Sequence, residues 1–496
     1  MNEKLLHGHD LHEMDALYRR LLNRTHHTRP DPPVSAAARL SALPPDDVVD
    51  RVSRLPDTVL RHIVSLLPVK DAARSAALSH RWRGVWRSAP LVLVDADLAP
   101  ATSALSRADL APATSALSRV LEAHPGPFRC VHLIKSCREE FHCLLTRWIE
   151  LLATKGIQEL VILDQWDPPF NAVLPSTFFG MAILTRLHLG SWKFSDTAGL
   201  PRSASFPKLR ELGLCNILVE SRDLDFILDR SPVLETLSDE GNFFTLRLRL
   251  VSQSLWCVQI IGSFFEEIFV VNAPRLERLI NLEGWTHDSS RTKVKIGHAP
   301  KLLLAYLELD PRNQVLEVGN TIIKVGTRVS PRTMVPSVRI LALEVRFGVR
   351  NDAKMIPNVL RCFPNVETLH IKSGKPDQST GKLNLKFWHE SGTIECIRSR
   401  IKLLVFHDFL GGRSELAFLK YFFESALVLK EVSIRLSAGF TSAEEVHSKV
   451  ASLRSRKRAS ETPIVRVTGW SEPQGGFIQS FKRGSDFSLQ GPFANY

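Results

Sequence analysis

Residues 50–87 read DRVSRLPDTVLRHIVSLLPVKDAARSAALSHRWRGVWR, and this stretch contains three short helix signals in succession. Pro56 and Asp57 mark the start of the first helix, because proline suits the first helical position and an acid suits the positive end of the helix dipole. Asp71 is predicted to cap the second helix, and Ser79 is predicted to cap the third. The stretch therefore predicts a compact unit of three helices.

Apolar side chains in this unit exceed what three short helices can bury between themselves. In the first helix they recur at helical spacing, at Val59, Leu60, Ile63, Val64, Leu66 and Leu67. In the third helix Trp82 and Trp86 lie one turn apart and form a large apolar anchor. Surplus apolar surface on so small a unit is typical of a docking module. The alternative is that these side chains form the unit's own core.

The unit resembles an F-box in the form common in plant proteins. The residues that carry the resemblance are Leu55, Pro56, Leu60, Ile63, Val64, Leu67, Asp71, Arg74, Leu78, Ser79 and Trp82. The resemblance implies that residues 48–90 dock onto the Skp-type adaptor of an SCF ubiquitin ligase and, through the adaptor, onto its cullin scaffold. It implies that the contact is made by an apolar set of side chains, namely Leu55, Pro56, Leu60, Ile63, Val64, Leu67, Leu78 and Trp82.

A leucine spacing recurs from residue 130 onward, in which one apolar residue is followed three positions later by another. The pairs are Ile157/Leu160, Leu184/Leu187, Leu209/Leu212, Leu234/Leu237, Leu255/Val258, Leu276/Leu279, Leu302/Ala305, Val338/Leu341, Val366/Leu369, Ile401/Leu404 and Leu429/Val432. Successive first members are 27, 25, 25, 21, 21, 26, 36, 28, 35 and 28 residues apart. A period in the twenties predicts leucine-rich repeats, whose short strands stack into a solenoid. The alternative is separate α+β elements that share the spacing by chance.

The resemblance continues through these later regions. Residues 148–179 resemble the first leucine-rich repeats of plant F-box proteins, and residues 396–434 resemble the FBD domain that closes such proteins. We place the repeats at 130–380 and the FBD-like cap at 381–470. The predicted elements of the FBD region are a strand from Ile401, a helix that opens at Ser414 or Glu415, a strand through Leu429, Val432 and Ile434, and a last strand at 464–467. A strand–helix–strand unit of this kind covers the last apolar edge of a solenoid.

Two identical copies of a twelve-residue segment lie between the helical unit and the repeats, at residues 96–107 and 108–119. An identical copy is not a packed repeat, because the core positions of a packed array would diverge. We therefore predict that residues 91–129 are an exposed linker and that one copy is dispensable, since surface loops tolerate changes in length.

The two ends of the chain carry no chemical signature. Residues 1–47 are polar and are predicted to be a flexible leader, and residues 471–496 are predicted to be a tail. The leader histidines have no metal-ligand spacing: His7, His9, His12, His26 and His27. The sequence also lacks a phosphate loop, a dinucleotide fingerprint, a His-Glu-x-x-His zinc signature and a Gly-x-Ser-x-Gly elbow. No catalytic residue, metal or cofactor is expected.

The amino-acid composition restricts the cellular compartment and the type of binding partner. The chain has 496 residues, of which 44% are apolar, and it contains no apolar run long enough for a membrane span and no secretory signal. Its seven cysteines form no Cys-x-x-Cys pair, which predicts a reducing compartment, the cytoplasm or the nucleus. The net charge of +12 permits acidic partners, but the basic residues are scattered and no nucleic-acid-binding signature accompanies them.

The sequence therefore predicts an α+β chain: an N-terminal three-helix F-box, an irregular leucine-rich-repeat solenoid and a C-terminal FBD-type strand–helix–strand cap. We expect a non-catalytic substrate receptor of an SCF-type ubiquitin ligase that presents a protein target on its repeats. The alternative is a basic interaction scaffold that binds nucleic acid or an acidic protein. The target is not identified, because the residues beside the strand leucines fit either a presented face or a solvated edge: Arg186, His188, Trp192, Arg210, Glu211 and Glu235.

Overall fold

The computed structural model describes residues 5–6, 9–10, 51–98, 107–134, 142–163, 173–201, 203–242, 246–282, 292–309, 314–374, 381, 383–437 and 463–469, together with alternate residues of 444–450. The predicted tail and nearly all of the leader lie outside these ranges. The chain forms two compact units. One comprises residues 12–243, and the other comprises Met1–Leu11 with Phe244–Tyr496.

The first unit opens with the predicted three helices: α1 Asp57–Ser65, α2 Val69–Ser75 and α3 His80–Ser88. The predicted starts of α1 and α3 are confirmed. The Ser79 hydroxyl caps α3 by accepting a hydrogen bond from the backbone N–H of Trp82 at 3.3 Å.

The predicted start of the second helix is wrong. Pro68 precedes α2, so the helix begins two residues earlier than Asp71. Asp71 lies in the first turn, where its carboxylate pairs with Arg74 at 2.8 Å instead of capping the helix. Pro68 stands at the start of this helix because its fixed φ suits the helix entry. A backbone N–H at this position would lack a helical partner, so proline loses no hydrogen bond there.

Six parallel strands follow the helices and pair in chain order: β1 Leu91–Val94, β2 Phe128–Leu133, β3 Ile157–Leu163, β4 Arg186–Gly190, β5 Glu211–Cys215 and β6 Thr236–Glu240. Three described helices return the chain between strands: α4 Arg107–Ala123, α5 His142–Lys155 and α6 Ser221–Asp229. A 3₁₀ helix, Ser176–Gly180, returns it between β3 and β4. The strands are parallel because each crossover returns the chain to the end of the sheet at which the previous strand began.

The predicted exposed linker at 91–129 contains ordered elements of this array. It holds β1, α4 and the start of β2, and the second copy of the duplicated segment lies within α4. Leu117 in that copy is fully buried, and the hydroxyl of Ser118 accepts a hydrogen bond from Nε1 of Trp148 at 3.0 Å. The expectation of an exposed connection is therefore wrong for the second copy. Most of the first copy lies outside the described residues.

Deletion of one copy is still expected to leave the fold intact. Either deletion gives the same sequence, and the remaining copy still leads into Val120, so the buried leucine of α4 is retained. We expect the melting temperature to change by less than about 2 °C, because shortening a connection costs little. In the same thermal scan, Leu117→Asp should lower the melting temperature by at least about 5 °C. A comparable drop on deletion would contradict this account.

Eight parallel strands form the corresponding sheet of the second unit: β8 Cys257–Ile261, β10 Arg278–Leu282, β12 Leu304–Leu309, β15 Ile340–Val345, β16 Thr368–Ser373, β17 Leu403–Phe409, β18 Glu431–Leu436 and β19 Ile464–Thr468. A second sheet of the same unit contains β7 Leu246–Val251, β9 Phe265–Asn272, β11 Thr292–His298, β13 Gln314–Val318 and β14 Thr321–Ile322. Three longer connections carry helices, namely α7 Arg350–Cys362, α8 Leu385–Glu390 with α9 Glu395–Ser399, and α10 Arg413–Ser425.

The predicted leucine spacing is confirmed by strand register. In the first unit the second members of the pairs stand directly opposite one another, at Leu160, Leu187, Leu212 and Leu237. In the second unit the same position passes through Val258, Leu279, Ala305, Leu341, Leu369, Leu404 and Val432. All first members are buried as well. Each pair therefore places two side chains in a continuous core, and the degenerate pair Leu302/Ala305 keeps its register.

The second sheet was not predicted, and it explains the shortest repeats. The two spacings of 21 residues, from Leu234 to Leu255 and from Leu255 to Leu276, return through β7 and β9. The preceding repeat of 25 residues returns through α6. A strand advances about 3.3 Å per residue and a helix only about 1.5 Å, so a return strand needs fewer residues.

The C-terminal cap is confirmed as a strand–helix–strand unit. It consists of β17, α10 and β18, and the last predicted strand is β19, which pairs in parallel with β18. Helix α10 begins at Arg413, one residue before the predicted start. Trp388 of α8 is fully buried beside α10, with its ring centroid 4.9 Å from that of Phe418 and 5.9 Å from that of Tyr421. The cap is therefore closed by aromatic packing.

Candidate protein-docking site

Helix α1 carries two apolar stripes, and only one of them is buried by this chain. Leu60 and Val64 are four residues apart on the first stripe and are both fully buried. Val59, Ile63 and Leu66 follow the spacing of the second stripe, on which the first and last are exposed and Ile63 is half-buried. A helix that is apolar over both stripes but covered on one has a face suited to another polypeptide.

The eight predicted contact residues divide accordingly. Three are buried within this chain, at Leu60, Val64 and Trp82, so they hold the three helices together instead of reaching a partner. Three are half-buried, at Leu55, Ile63 and Leu67, and two are exposed, at Pro56 and Leu78. Leu78 is the most exposed large apolar side chain among the described residues, at 68%. Val52, Val59 and Leu66 extend this surface and were not in the predicted set.

The tryptophan anchor predicted on α3 faces inward. Nε1 of Trp82 donates a hydrogen bond to the hydroxyl of Ser53 at 3.2 Å. The ring of Trp86 packs edge-on against His124, with centroids 5.2 Å apart, and His124 accordingly has a pKa lowered by burial. Trp82 therefore fits the alternative that it belongs to the core of the three-helix unit, whereas the half-buried Trp86 packs on His124, which lies outside that unit.

Arg81 fastens the segment before α1 to the third helix. Its guanidinium pairs with the carboxylate of Asp57 at 2.7 Å, and it donates hydrogen bonds to the carbonyl oxygens of Ser53 and Leu55. These three contacts fix the backbone on which Leu55 and Pro56 are carried. Sequence patterns gave no sign of this role, because the partners lie more than twenty residues away in the chain.

The residues considered for a target surface on the repeats also divide into two groups. His188 and Trp192 are buried, so neither belongs to a presented face. Arg186 lies between the carboxylates of Glu159 and Glu211, with its guanidinium nitrogens 3.1 and 2.5 Å from them, and Arg210 pairs with Glu235. All four charged candidates, Arg186, Arg210, Glu211 and Glu235, thus form ion pairs between neighbouring rungs, as the solvated-edge alternative predicts.

The described ranges give no sign of metal binding, membrane insertion or reactive thiols. No cluster of three or more metal-ligating side chains occurs there, and none of the described helices is long and apolar enough to cross a membrane. Five cysteines of the described part of the chain are buried and form no disulfide: Cys130, Cys215, Cys257, Cys362 and Cys396. Burial raises the pKa of the Cys130 thiol, and it raises the pKa of Cys257, Cys362 and Cys396 to about 12. Thiols with so high a pKa are poor nucleophiles and poor metal ligands.

Family models match three successive regions of the chain. The F-box domain model matches residues 52–93, which contain α1, α2 and α3. A model of the leucine-rich repeats of FBD-associated F-box protein At5g56370 matches residues 145–371, and the FBD model matches residues 389–434. The order of these matches follows the order of the three helices, the strand array and the cap.

Whole-chain similarity extends to several proteins of Arabidopsis thaliana. F-box/LRR-repeat protein 13 is 24% identical over 430 residues, which cover 79% of this chain and 90% of that protein. F-box/FBD/LRR-repeat protein At1g13570 is 25% identical over 404 residues, which cover 78% of this chain and 91% of that protein. Putative F-box/FBD/LRR-repeat protein At5g22670 is 24% identical over 451 residues, 84% of this chain and 97% of that protein.

Proposed function

The chain belongs to the plant proteins that combine an F-box, leucine-rich repeats and an FBD domain, and on this premise we propose that it is a substrate receptor of an SCF-type ubiquitin ligase. The F-box docks a Skp-type adaptor, which links the chain to a cullin scaffold, and the repeats hold a target protein. The observation that carries the proposal is the exposed apolar stripe of α1 beside its buried one.

A receptor of this kind needs no catalytic group of its own. Ubiquitin transfer takes place at an enzyme elsewhere in the complex, and the receptor raises the effective concentration of the target beside that enzyme. Rigid attachment is what the receptor must supply. The β-bridge between Pro68 and Val92 supports this requirement, because it joins the F-box directly to the first strand of the array. The lack of a disulfide among the five described cysteines supports a reducing compartment, the cytoplasm or the nucleus.

The alternative of a basic scaffold for nucleic acid gains no support from the strand array. Many of its cations pair with acids on neighbouring rungs, as Arg339 and Lys402 do with Glu367 and as Arg466 does with Glu431. Paired charges of this kind do not form the continuous basic surface that phosphate backbones require.

Replacement of Leu55 and Pro56 together by alanine is expected to abolish adaptor capture and to leave the repeats folded. Both side chains lie on the partly exposed segment before α1, and Arg81 holds that segment by backbone carbonyls that the substitutions retain. Pull-down of the full chain by a purified plant Skp-type adaptor measures the effect, and circular dichroism checks the fold.

Leu60→Ala is the matched contrast, because this side chain is fully buried in the same helix. It should destabilise the F-box by about 2–5 kcal/mol, and any loss of capture should follow that loss of structure. Undiminished capture by the Leu55→Ala, Pro56→Ala double variant would reject the assignment.

A further inference from the structure

The longest repeat of the solenoid contains an insertion after β13. Leu302 and Val338 are 36 residues apart, whereas repeats with a single helix or strand on the return take 21 to 28. The extra residues form the short hairpin strand β14 and an exposed segment that follows it. Insertions into a regular array lie on its surface and are often the part that binds. We call residues 322–332 the basic turn.

The basic turn is held in one conformation. The backbone N–H of Thr327 donates to the carbonyl of Lys324 at 3.0 Å, and Gly326 has a φ of +82°, which together make a type II turn with Val325 at its tip. The hydroxyl of Thr327 accepts a second bond from the N–H of Lys324 at 2.7 Å. A segment ordered in this way loses little entropy when a partner binds.

Asn358 of α7 fastens the basic turn to the solenoid. Its amide nitrogen donates to the carbonyl of Thr327 at 3.0 Å, and its amide oxygen accepts from the N–H of Gly326 at 3.4 Å. Asn358 is itself buried, so the turn is anchored from beneath while its tip remains outside. The Asn358 side chain thus fixes the turn through the backbone groups of Gly326 and Thr327.

The exposed side chains of the basic turn are cationic and apolar. Val325 is 52% exposed and Ile322 is 41% exposed. Lys324, Arg328 and Arg332 are all exposed, and in contrast to the cations of the strand array none of them forms an ion pair with a described acid. Residues 319–343 contain no aspartate or glutamate. The insertion therefore carries three exposed cations within the same eleven residues as two exposed apolar side chains.

We propose that the basic turn binds an acidic, extended segment of a protein partner that contributes an apolar side chain to Val325 and Ile322. Carboxylates complement the three cations, and the apolar tip adds contact that phosphates do not provide. Three cations are fewer than the six to ten phosphate contacts typical of nucleic-acid binding, and residues 319–335 contain no aromatic residue for base stacking. The proposal deepens the proposed function, since the bound segment belongs to the receptor's target.

Fluorescence anisotropy with the full chain tests the proposal. The probes are a labelled dodecapeptide with four glutamates around a central Leu-Leu pair, the same peptide with glutamine in place of glutamate, and a labelled 12-nucleotide single-stranded DNA. We expect micromolar binding of the acidic peptide only. The Lys324→Glu, Arg328→Glu, Arg332→Glu triple variant should weaken binding at least about tenfold. Asn358→Ala should weaken it several-fold with no change in charge.

A matched variant controls for net charge. Lys208, Arg275 and Lys301 are three exposed cations on the turns before other strands, and their triple replacement by glutamate changes the charge equally. It should leave peptide binding unchanged. Equal weakening by the two triple variants, absence of peptide binding by the parent chain up to about 100 μM, or tighter binding of the DNA than of the acidic peptide would each overturn the proposal. Adaptor capture is measured in parallel, so a failure of the F-box assignment is seen separately.

Discussion

Trp388→Ala is expected to destabilise the C-terminal cap by about 4 kcal/mol. Trp388 is fully buried, and its ring contacts those of Phe387, Phe418 and Tyr421 at centroid distances of 5.2, 4.9 and 5.9 Å. Removal of a buried indole forfeits its transfer free energy and leaves a cavity that surrounding rings fill only in part.

Hydrogen exchange measures this effect locally, because it reports the opening of individual elements. Amides of β17 and α10 should lose protection in Trp388→Ala, while amides of β4 and β5 in the other unit should keep theirs. Trp388→Phe is the control and should cost much less, because a ring remains in the site. A loss below about 1 kcal/mol for the alanine variant would show that α8 does not close the cap.

Acidification from pH 7 to pH 5 is expected to weaken the same region. His370 and His407 are buried, and Nδ1 of His370 and Nε2 of His407 share a hydrogen bond of 3.0 Å. Burial lowers the pKa of His370 from 6.5 to about 3, and burial together with nearby Arg435 lowers that of His407 as well. The folded state therefore favours both imidazoles in their neutral form.

The sign of the pH effect follows from where the protons bind. Below about pH 6.5 the unfolded chain protonates these imidazoles and the folded chain does not, so stability is complete above that pH and falls as the pH decreases toward 3. His370 and His407 therefore both contribute a loss of stability as the pH falls from 7 to 5. Exchange protection of β16 and β17 should fall accordingly.

Replacement of each histidine by glutamine, which does not titrate, isolates its contribution to the pH dependence of stability. His370→Gln should reduce the dependence on pH between 7 and 5 whatever its effect on stability at pH 7, and a second replacement, His407→Gln, should reduce it further. An unchanged pH dependence in the double variant would assign the acid sensitivity of the cap to other groups.

The array of strands was predictable because its signal is local and periodic. Two apolar residues three positions apart recur at each rung, and even Leu302/Ala305 stands in register between its neighbours. The return segments were not predictable in the same way. In Leu246–Val251 of β7, buried and exposed residues alternate. This segment forms a strand because β9 pairs with it, and such pairing depends on tertiary contacts that the local sequence does not show.

The candidate docking site was predictable in location and only partly in detail. The order of Leu55, Pro56 and Leu78 identified an F-box, and the family models bear this out. Helical spacing places Leu60 and Val59 about 100° apart on the helix. Because both are apolar, the spacing could not show that Leu60 is the buried one and Val59 the exposed one. The inward direction of Trp82 depends on Ser53, which lies in another element.

The central claim is that the F-box keeps an apolar face uncovered for a second polypeptide. The most direct measurement is the affinity of the full chain for a purified plant Skp-type adaptor, with Leu78→Asp compared with Val173→Asp. Leu78 is 68% exposed on the F-box, and Val173 is 52% exposed on the repeats, so both substitutions place a carboxylate where solvent reaches it. We predict that Leu78→Asp weakens binding more than about tenfold and that Val173→Asp has no effect. Equal affinities for the two variants, or no binding by the parent chain, would contradict the account.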